Sequence, residues 1–308
     1  MNIADFPVWN LDPDLISLGP VTIRYYGVLF ATGLLLGFYL WRWQMLRAKH
    51  NAEVTEKFLV WGVVTVLIGS RLGHCLFYEP EIYLRDPIRI LFIWRGGLAS
   101  HGATIGFIVS VMLYAWKFGY SKIEIMDRFS MSVTMGALFV RLGNFMNSEI
   151  VGREWSGAWA VRFPRYTEIN QSIFENRMQK PLGFVAQALP RHPSQIYEAL
   201  GALVVLGIML LVDRIMGGEK RPRGLMAGIL LVGYFSFRFV VEYFKEYQSS
   251  PLPLEVERAA QVIRVVSEGG LTKGQMLSVP FVIMGLCMIA YAFITKHPAS
   301  AKSTKVEE

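Results

Sequence analysis

The chain has 308 residues, of which 53% are hydrophobic, 13% aromatic and only 18% charged, and its mean hydropathy is +0.36. Soluble domains average roughly 25% charged residues, so the composition points to an integral membrane protein. The formal charge of +7 and pI near 9.4 would suit a nucleic-acid binder, but Lys and Arg fall mostly in the gaps between apolar runs, as topology signals do. No zinc spacing, helix-turn-helix or aromatic-basic stacking motif is present, and nucleic acid is not an expected partner.

The first twenty residues, MNIADFPVWNLDPDLISLGP, carry three aspartates and no basic residue. They lack the basic start and apolar core of a cleavable signal peptide and read as a short exterior segment. Windows of about 20 apolar residues then identify seven candidate spans. These are 25–43, 58–77, 98–116, 129–147, 196–216, 225–244 and 277–294. The third and fifth are the clearest, whereas the second and fourth contain charges. The expected fold is an all-α polytopic membrane protein with one integral domain, 1–296, and a polar cytoplasmic tail, 297–308.

Orientation follows from the short loops. Arg47, Lys49 and Lys57 occupy the first gap; Lys117, Lys122 and Arg128 the third; Arg214, Lys220, Arg221 and Arg223 the fifth; and Lys296, Lys302 and Lys305 the tail. The positive-inside rule places these four segments in the cytoplasm, which gives an N-out, C-in topology. The segment 148–195 contains Gly152, Gly157, Pro164, Pro181, Pro190 and Pro193 among aromatic and charged residues. That aromatic content argues for a small extracytoplasmic cap rather than a disordered linker. Trp94, Trp155 and Trp159 fit an outer interfacial belt. Cys75 and Cys287 lie in apolar runs and read as small hydrophobes.

With that topology each polar residue has a depth. Arg141, Asn144 and Asn147 share one face of the fourth span near its outer end. An arginine there costs about 2.5–3.5 kcal/mol even on the mild insertion scale. His101 opens the third span from outside, Arg238 and Glu242 lie four apart in the outer third of the sixth, Tyr26 begins the first, and Arg71 and His74 occupy the outer half of the second. Arg238 and Glu242 are spaced to pair. Taken singly, Arg141 could snorkel to headgroups, Arg238 with Glu242 could be a structural ion pair, His101 could be a neutral histidine bonded to a carbonyl, and the asparagines could join helices. Their common depth favours a polar cavity that holds an anion at the membrane surface. Gly96, Gly97 and Gly102 bracket His101, and Gly143 and Gly152 flank the Asn144 segment, allowing close backbone approach.

The run RLGNFMNSEIVGR (141–153) resembles the signature of prolipoprotein diacylglyceryl transferases, RxGNFxNxExxG. IRYYG (23–27), RGGLASHGA (95–103), RHPSQIYE (191–198), GYFSFRFVVEYF (233–244) and GQMLSVP (274–280) match further blocks in order, so the resemblance covers about residues 16–294. It implies transfer of the diacylglyceryl group of phosphatidylglycerol to the lipobox cysteine of a prolipoprotein, giving a thioether and sn-glycerol 1-phosphate. It also implies a multi-pass protein of the bacterial inner membrane, its site facing the periplasm or outer leaflet, with phosphatidylglycerol and the lipobox signal peptide as partners among membrane lipids.

The resemblance assigns substrate contacts to Tyr26, Arg141, Asn144, Gly152, Tyr234 and Arg238 and catalytic roles to His101, Arg141, Arg238 and Glu242. No cofactor or metal is expected. Arg141 and Arg238 would hold the phosphate and stabilise the leaving oxygen, since guanidinium offers bidentate contacts to phosphate. Asn144 would orient the glycerol, Glu242 would position Arg238, and His101 is the candidate base for the thiol. Two positions depart from the family: HGG reads His101-Gly102-Ala103, and NGE reads Asn147-Ser148-Glu149. An anion transporter or a non-catalytic lipid-binding scaffold are the other classes the residues leave open. The first would continue its polar residues into the inner half of the bundle.

Overall fold

A computed structural model describes residues 3–19, 21–92, 97, 99–178, 187–246 and 270–299. Trp94, Gly96, the 179–186 part of the expected cap and the tail from 300 onward lie outside these described residues. The chain divides into two compact units. The first comprises 1–37, 131–212 and 228–290, and the second 38–130, 213–227 and 291–308.

Each of the seven predicted spans overlaps a helix. The helices are α1 (Tyr25–Arg47), α2 (Ala52–Phe77), α4 (Ser100–Lys117), α5 (Lys122–Met146), α7 (Ser194–Ile215), α8 (Leu225–Val241) and α9 (Lys273–Thr295), with shorter α3 (Pro80–Arg85) and α6 (Pro164–Met178) between them. Among the described residues, four helices are long and apolar enough to cross a membrane: α2, α7, Leu225–Phe244 and α9. The third segment, expected to be one of the clearest, is not among them. Its helix starts only at Ser100, and its first turn, Ser-His-Gly-Ala, holds two polar residues and no large apolar one. The apolar surface of α9 is turned outward, with Met276, Leu277, Ile283, Leu286 and Ile294 exposed, as lipid contact requires and water would penalise.

The all-α expectation is corrected in one respect. Two short antiparallel sheets are present, β1 (Asp14–Leu18) with β2 (Val21–Arg24) and β3 (Val161–Arg162) with β4 (Pro190–Arg191). The hairpin turns through Gly19 at φ +60°, a conformation open to glycine without steric cost, and an Arg24–Asp14 ion pair of 3.0 Å closes its far end. Its strands are too short for an alternating pattern to stand out. In the first unit the N-terminal segment docks on β3 through Trp9 N–H to the Arg162 carbonyl (2.8 Å). The Trp9 indole N–H reaches the Phe145 carbonyl at 2.9 Å near the end of α5.

In the second unit α2 starts at an Asn51 cap whose side chain accepts from the Val54 N–H, and α2 packs on α4 along facing glycines. A Cβ on Gly69 would lie 2.5 Å from the Gly102 carbonyl oxygen and 2.8 Å from the Gly106 Cα, and one on Gly73 would lie 2.7 Å from the Gly102 Cα. Only glycine lets these backbones approach so closely. Below this contact an aromatic core forms around Trp41, which stacks on Phe129 (4.1 Å, 5°) and packs with Phe58 and Tyr114. Its polar edges are satisfied: the Trp41 indole donates to the Thr55 carbonyl and the Tyr114 hydroxyl to the Val54 carbonyl.

Candidate active site

The end of α5 builds one side of the site in the first unit. Arg141 and Asn144 occupy its last two turns, and the Asn147, Ser148 and Glu149 N–H groups close back onto the carbonyls of Gly143, Phe145 and Asn144. The turn then passes through two residues of left-handed conformation, Ser148 at φ 55° and Ile150 at φ 56°. That conformation is costly for a residue with a Cβ and rare for a β-branched one. Glycine at position 148 would adopt it without that cost. Two bonds from α7 hold the turn: the Gln195 amide donates to the Glu149 carbonyl (2.6 Å) and the Ser194 hydroxyl to the Ile150 carbonyl (2.8 Å). The Glu149 carboxylate accepts from Asn147 at 3.1 Å and from Asn144 at 3.4 Å.

Arg141 is mostly buried. Its Nε lies 3.2 Å from Oε2 of Glu198 on α7, and its Nη1 is 3.5 Å from Oδ1 of Asn144. The hydroxyls of Tyr234 and Tyr26 lie close enough to interact with it, and Tyr26 packs so tightly on α5 that a Cβ on Gly143 would come within 2.6 Å of its ring. Glu198, only 3% exposed, also accepts from Lys245 Nζ at 2.9 Å. Lys245 lies just beyond the sixth apolar helix. Burial, with Arg141 and Arg238 nearby, holds its ammonium below the usual lysine range, while Glu198 opposes that shift.

The expected Arg238–Glu242 pair is not formed. Among the described residues Arg238 has no carboxylate within 4.0 Å, whereas Glu242 lies 4.0 Å from Lys245 and accepts from the Thr272 hydroxyl at 3.4 Å. The reason is local. Regular α-helix ends at Val241, and Glu242–Phe244 tightens into a 3-10 turn, which rotates Glu242 away from the i,i+4 direction. The carboxylate instead packs beside Gly274, where any Cβ would collide with it.

Gly152 is fixed by backbone on both sides. Its N–H donates to the His192 carbonyl (2.9 Å), and a Cβ there would lie 2.6 Å from the Phe244 carbonyl oxygen. The neighbouring Arg153 donates from its N–H to that same Phe244 carbonyl (2.8 Å) and from Nε to the Lys245 carbonyl (2.9 Å). The segment carrying Lys245 is thereby tied to the Gly152 turn. Beside it His192 stacks on Trp155 (4.2 Å, 9°) and bonds the Tyr197 hydroxyl at 3.0 Å, and burial lowers its pKa, favouring the neutral ring.

His101 belongs to the second unit, exposed in the first turn of α4, and no described residue hydrogen-bonds its side chain. Within that unit Arg71 is buried and is no open cavity group. Its guanidinium donates to the carbonyls of Arg89, Ile90 and Gly97 at 2.7, 2.9 and 3.0 Å and stacks over Tyr83. His74 lies 3.3 Å from Glu79. The Ala99 N–H donates to the Ser70 carbonyl at 2.9 Å, so the approach to His101 is pinned to α2.

Of the residues singled out by sequence, the first unit gathers Tyr26, Asn144 and Tyr234 around Arg141, with Glu242 and Gly152 next to the segment that carries Lys245 and Arg238 near its ammonium. Glu198 and Lys245 were not anticipated. Glu198 is the last residue of RHPSQIYE and opens an apolar run, so its acidity was the available signal; Lys245 follows the GYFSFRFVVEYF block.

A family model described as prolipoprotein diacylglyceryl transferase matches residues 13–291. Three curated relatives bear the name phosphatidylglycerol–prolipoprotein diacylglyceryl transferase. The protein from Tolumonas auensis is 37% identical over 91% of this chain and 95% of its own length. That from Chloroherpeton thalassium is 34% identical over 94% and 95%, and that from Porphyromonas gingivalis 35% identical over 98% and 99%. With the family model spanning most of its length and relatives above 30% identity across nearly all of it, the chain belongs to the prolipoprotein diacylglyceryl transferase family.

Proposed function

We propose that this chain transfers the diacylglyceryl group of phosphatidylglycerol to the lipobox cysteine of a prolipoprotein, at a site formed around Arg141. The observation that carries the reading is a buried arginine whose neighbours are carboxamide, phenol and carboxylate groups, at the end of an otherwise apolar helix in a member of this family. The thiolate of the substrate cysteine attacks the glyceryl carbon that bears the phosphate ester. The carbon–sulfur bond forms as the carbon–oxygen bond breaks, and the bonding pair leaves on the phosphate as sn-glycerol 1-phosphate.

Arg141 and Arg238 bind the phosphate and stabilise the charge on the departing oxygen. Asn144 orients the glycerol, while Tyr26 and Tyr234 set the Arg141 guanidinium. Gly152 admits the backbone close to the headgroup. Glu242 acts on the cations through Lys245 instead of through Arg238. His101, with no partner among the described residues, accepts the thiol proton.

The topology is seven spans, N-out and C-in, with 148–195 as an extracytoplasmic cap. The site then faces the periplasm or outer leaflet of the bacterial inner membrane. The basic loops support this orientation, and the apolar exposed helix faces support lipid contact. The test is mass analysis of a lipobox peptide after incubation with the protein and phosphatidylglycerol. A thioether-linked diacylglyceryl adduct, with release of glycerol phosphate, is expected. A peptide of unchanged mass would contradict the reading and leave transport or lipid binding.

A further inference from the structure

Glu198 carries two cations on unequal terms. Its Oε1 accepts a well-formed bond from Lys245 Nζ at 2.9 Å. Its Oε2 lies 3.2 Å from Arg141 Nε, yet accepts no hydrogen bond from any described residue, because the two groups are not aligned for one. A carboxylate buried to this depth needs charge-assisted bonds on both oxygens to offset its desolvation, so the Arg141 side of the arrangement is under-satisfied. The Lys245 side is rigid: the segment that carries it is tied by Arg153 to the Gly152 turn. The loosely held partner of Glu198 is therefore the residue read above as the phosphate ligand, and the firmly held one is a lysine assigned no contact with the substrate.

We propose that Glu198 is an internal counter-ion that engages Arg141 while the site is empty, and that Lys245 is a positioning residue that retains Glu198 when the lipid phosphate takes Arg141 over. The inference rests on the reading of Arg141 as the phosphate ligand and adds the exchange to it. The swap gives each cation its own anion: the phosphate oxygen replaces one carboxylate oxygen at Arg141, and Glu198 keeps the ammonium of Lys245. Burial and the neighbouring arginines press against the charge on that ammonium, and Glu198, bonded to it at 2.9 Å, opposes them.

Removing the charge of Lys245 leaves Glu198 with Arg141 alone, and the carboxylate then competes with the lipid. The experiment measures kcat and KM for phosphatidylglycerol with the full chain in detergent, for the wild type, Lys245→Met, Glu198→Gln and the double variant. Lys245→Met is expected to raise KM about tenfold with kcat within about threefold, the pattern of lost ground-state binding. Adding Glu198→Gln to Lys245→Met is expected to bring KM back to within about threefold of the wild type, a coupling that independent sites would not show. A lysine that merely supports the fold would give no such rescue. An unchanged KM in Lys245→Met, or a double variant as poor as or poorer than the single one, overturns the proposal.

Lys245→Arg, which keeps the charge, guards against misfolding. A KM within about twofold of the wild type is expected, and a tenfold rise there also overturns the proposal. A wild type that forms no thioether adduct sinks the functional reading and this inference with it. An active wild type without the rescue sinks only the counter-ion exchange.

Discussion

Each unit contains a buried cluster of arginines and carboxylates, and the two are built differently. In the second unit Arg128 is fully buried and donates to Glu124 (3.0 and 3.1 Å), to Glu219 (2.6 and 3.2 Å) and to the Gln44 carbonyl (2.9 Å). Arg47 grips Asp213 with both terminal nitrogens at 2.6 and 2.8 Å and adds Glu219 at 2.9 Å, while Arg221 takes Asp213 at 2.5 Å. The slack in this cluster is confined to Arg221 Nε and Asp127 Oδ2, which lie 3.6 Å apart. In the first unit Arg141 has one unaligned carboxylate and a 3.5 Å contact to Asn144, and the side-chain oxygens of Asn147, Gln195 and Glu198 include buried atoms without described partners. A nearly closed ionic network holds helix ends and has no valence left for a ligand. In the open one Arg141 Nε faces its carboxylate without an aligned bond and Nη1 has only the 3.5 Å contact to Asn144, which leaves guanidinium donors for an anion.

The sharpest way to break this contrast is to cut one arginine from the closed network. Arg128→Ala takes the guanidinium away from the fully buried Glu124 and leaves Glu219 with Arg47, and loss of about 3–5 kcal/mol of stability is expected, read as a fall in Tm of the detergent-solubilised protein. Transfer per folded molecule should remain. A smaller loss is expected where backbones touch: Gly69→Val forces the new side chain into the Gly102 carbonyl and the Gly106 Cα, a strain worth about 1–3 kcal/mol, visible in the same melt.

Ser148→Gly should act in the opposite direction. It relieves a side chain held at φ 55° and should stabilise by about 1 kcal/mol, as a small rise in Tm. The weakest effect is a pH dependence of the closed network. Burial pushes Glu219 up, but Arg128 and Arg47 outweigh it and hold the carboxylate below its usual range. Its stabilising contribution is therefore present above the unfolded-state value and is lost as pH falls through the folded one. Melts of wild type and Glu219→Gln should converge below the ordinary carboxylate range and separate above it.

The helical character of the fold was legible because apolar windows of bilayer length are strong signals: all seven overlap helices, and among the described residues four helices are long and apolar enough to cross a membrane. The hairpin of β1 and β2 escaped because its paired residues number four or five a strand. In the site, Arg141 and Asn144 were legible from their cost inside an apolar helix. Glu198 has a similar cost but stands at the margin of a long apolar run, where hydropathy averages hide it. Lys245 has the form of an interfacial anchor, and only the structure shows its ammonium on Glu198. The Arg238–Glu242 pairing failed because i,i+4 spacing presumes a continuing α-helix, and the helix tightens at Glu242. Arg71 had the right depth, but its guanidinium is consumed by loop carbonyls, which no spacing rule encodes.

The central claim is that the open cluster around Arg141 is where the lipid phosphate is bound and released. It is tested most directly by transfer from phosphatidylglycerol to a lipobox peptide with Arg141→Ala, normalised to protein whose melt matches the wild type. A fall in kcat of about 10²–10³-fold is expected, the size of effect seen when one oxyanion donor is removed. A wild-type rate from folded Arg141→Ala protein would contradict it.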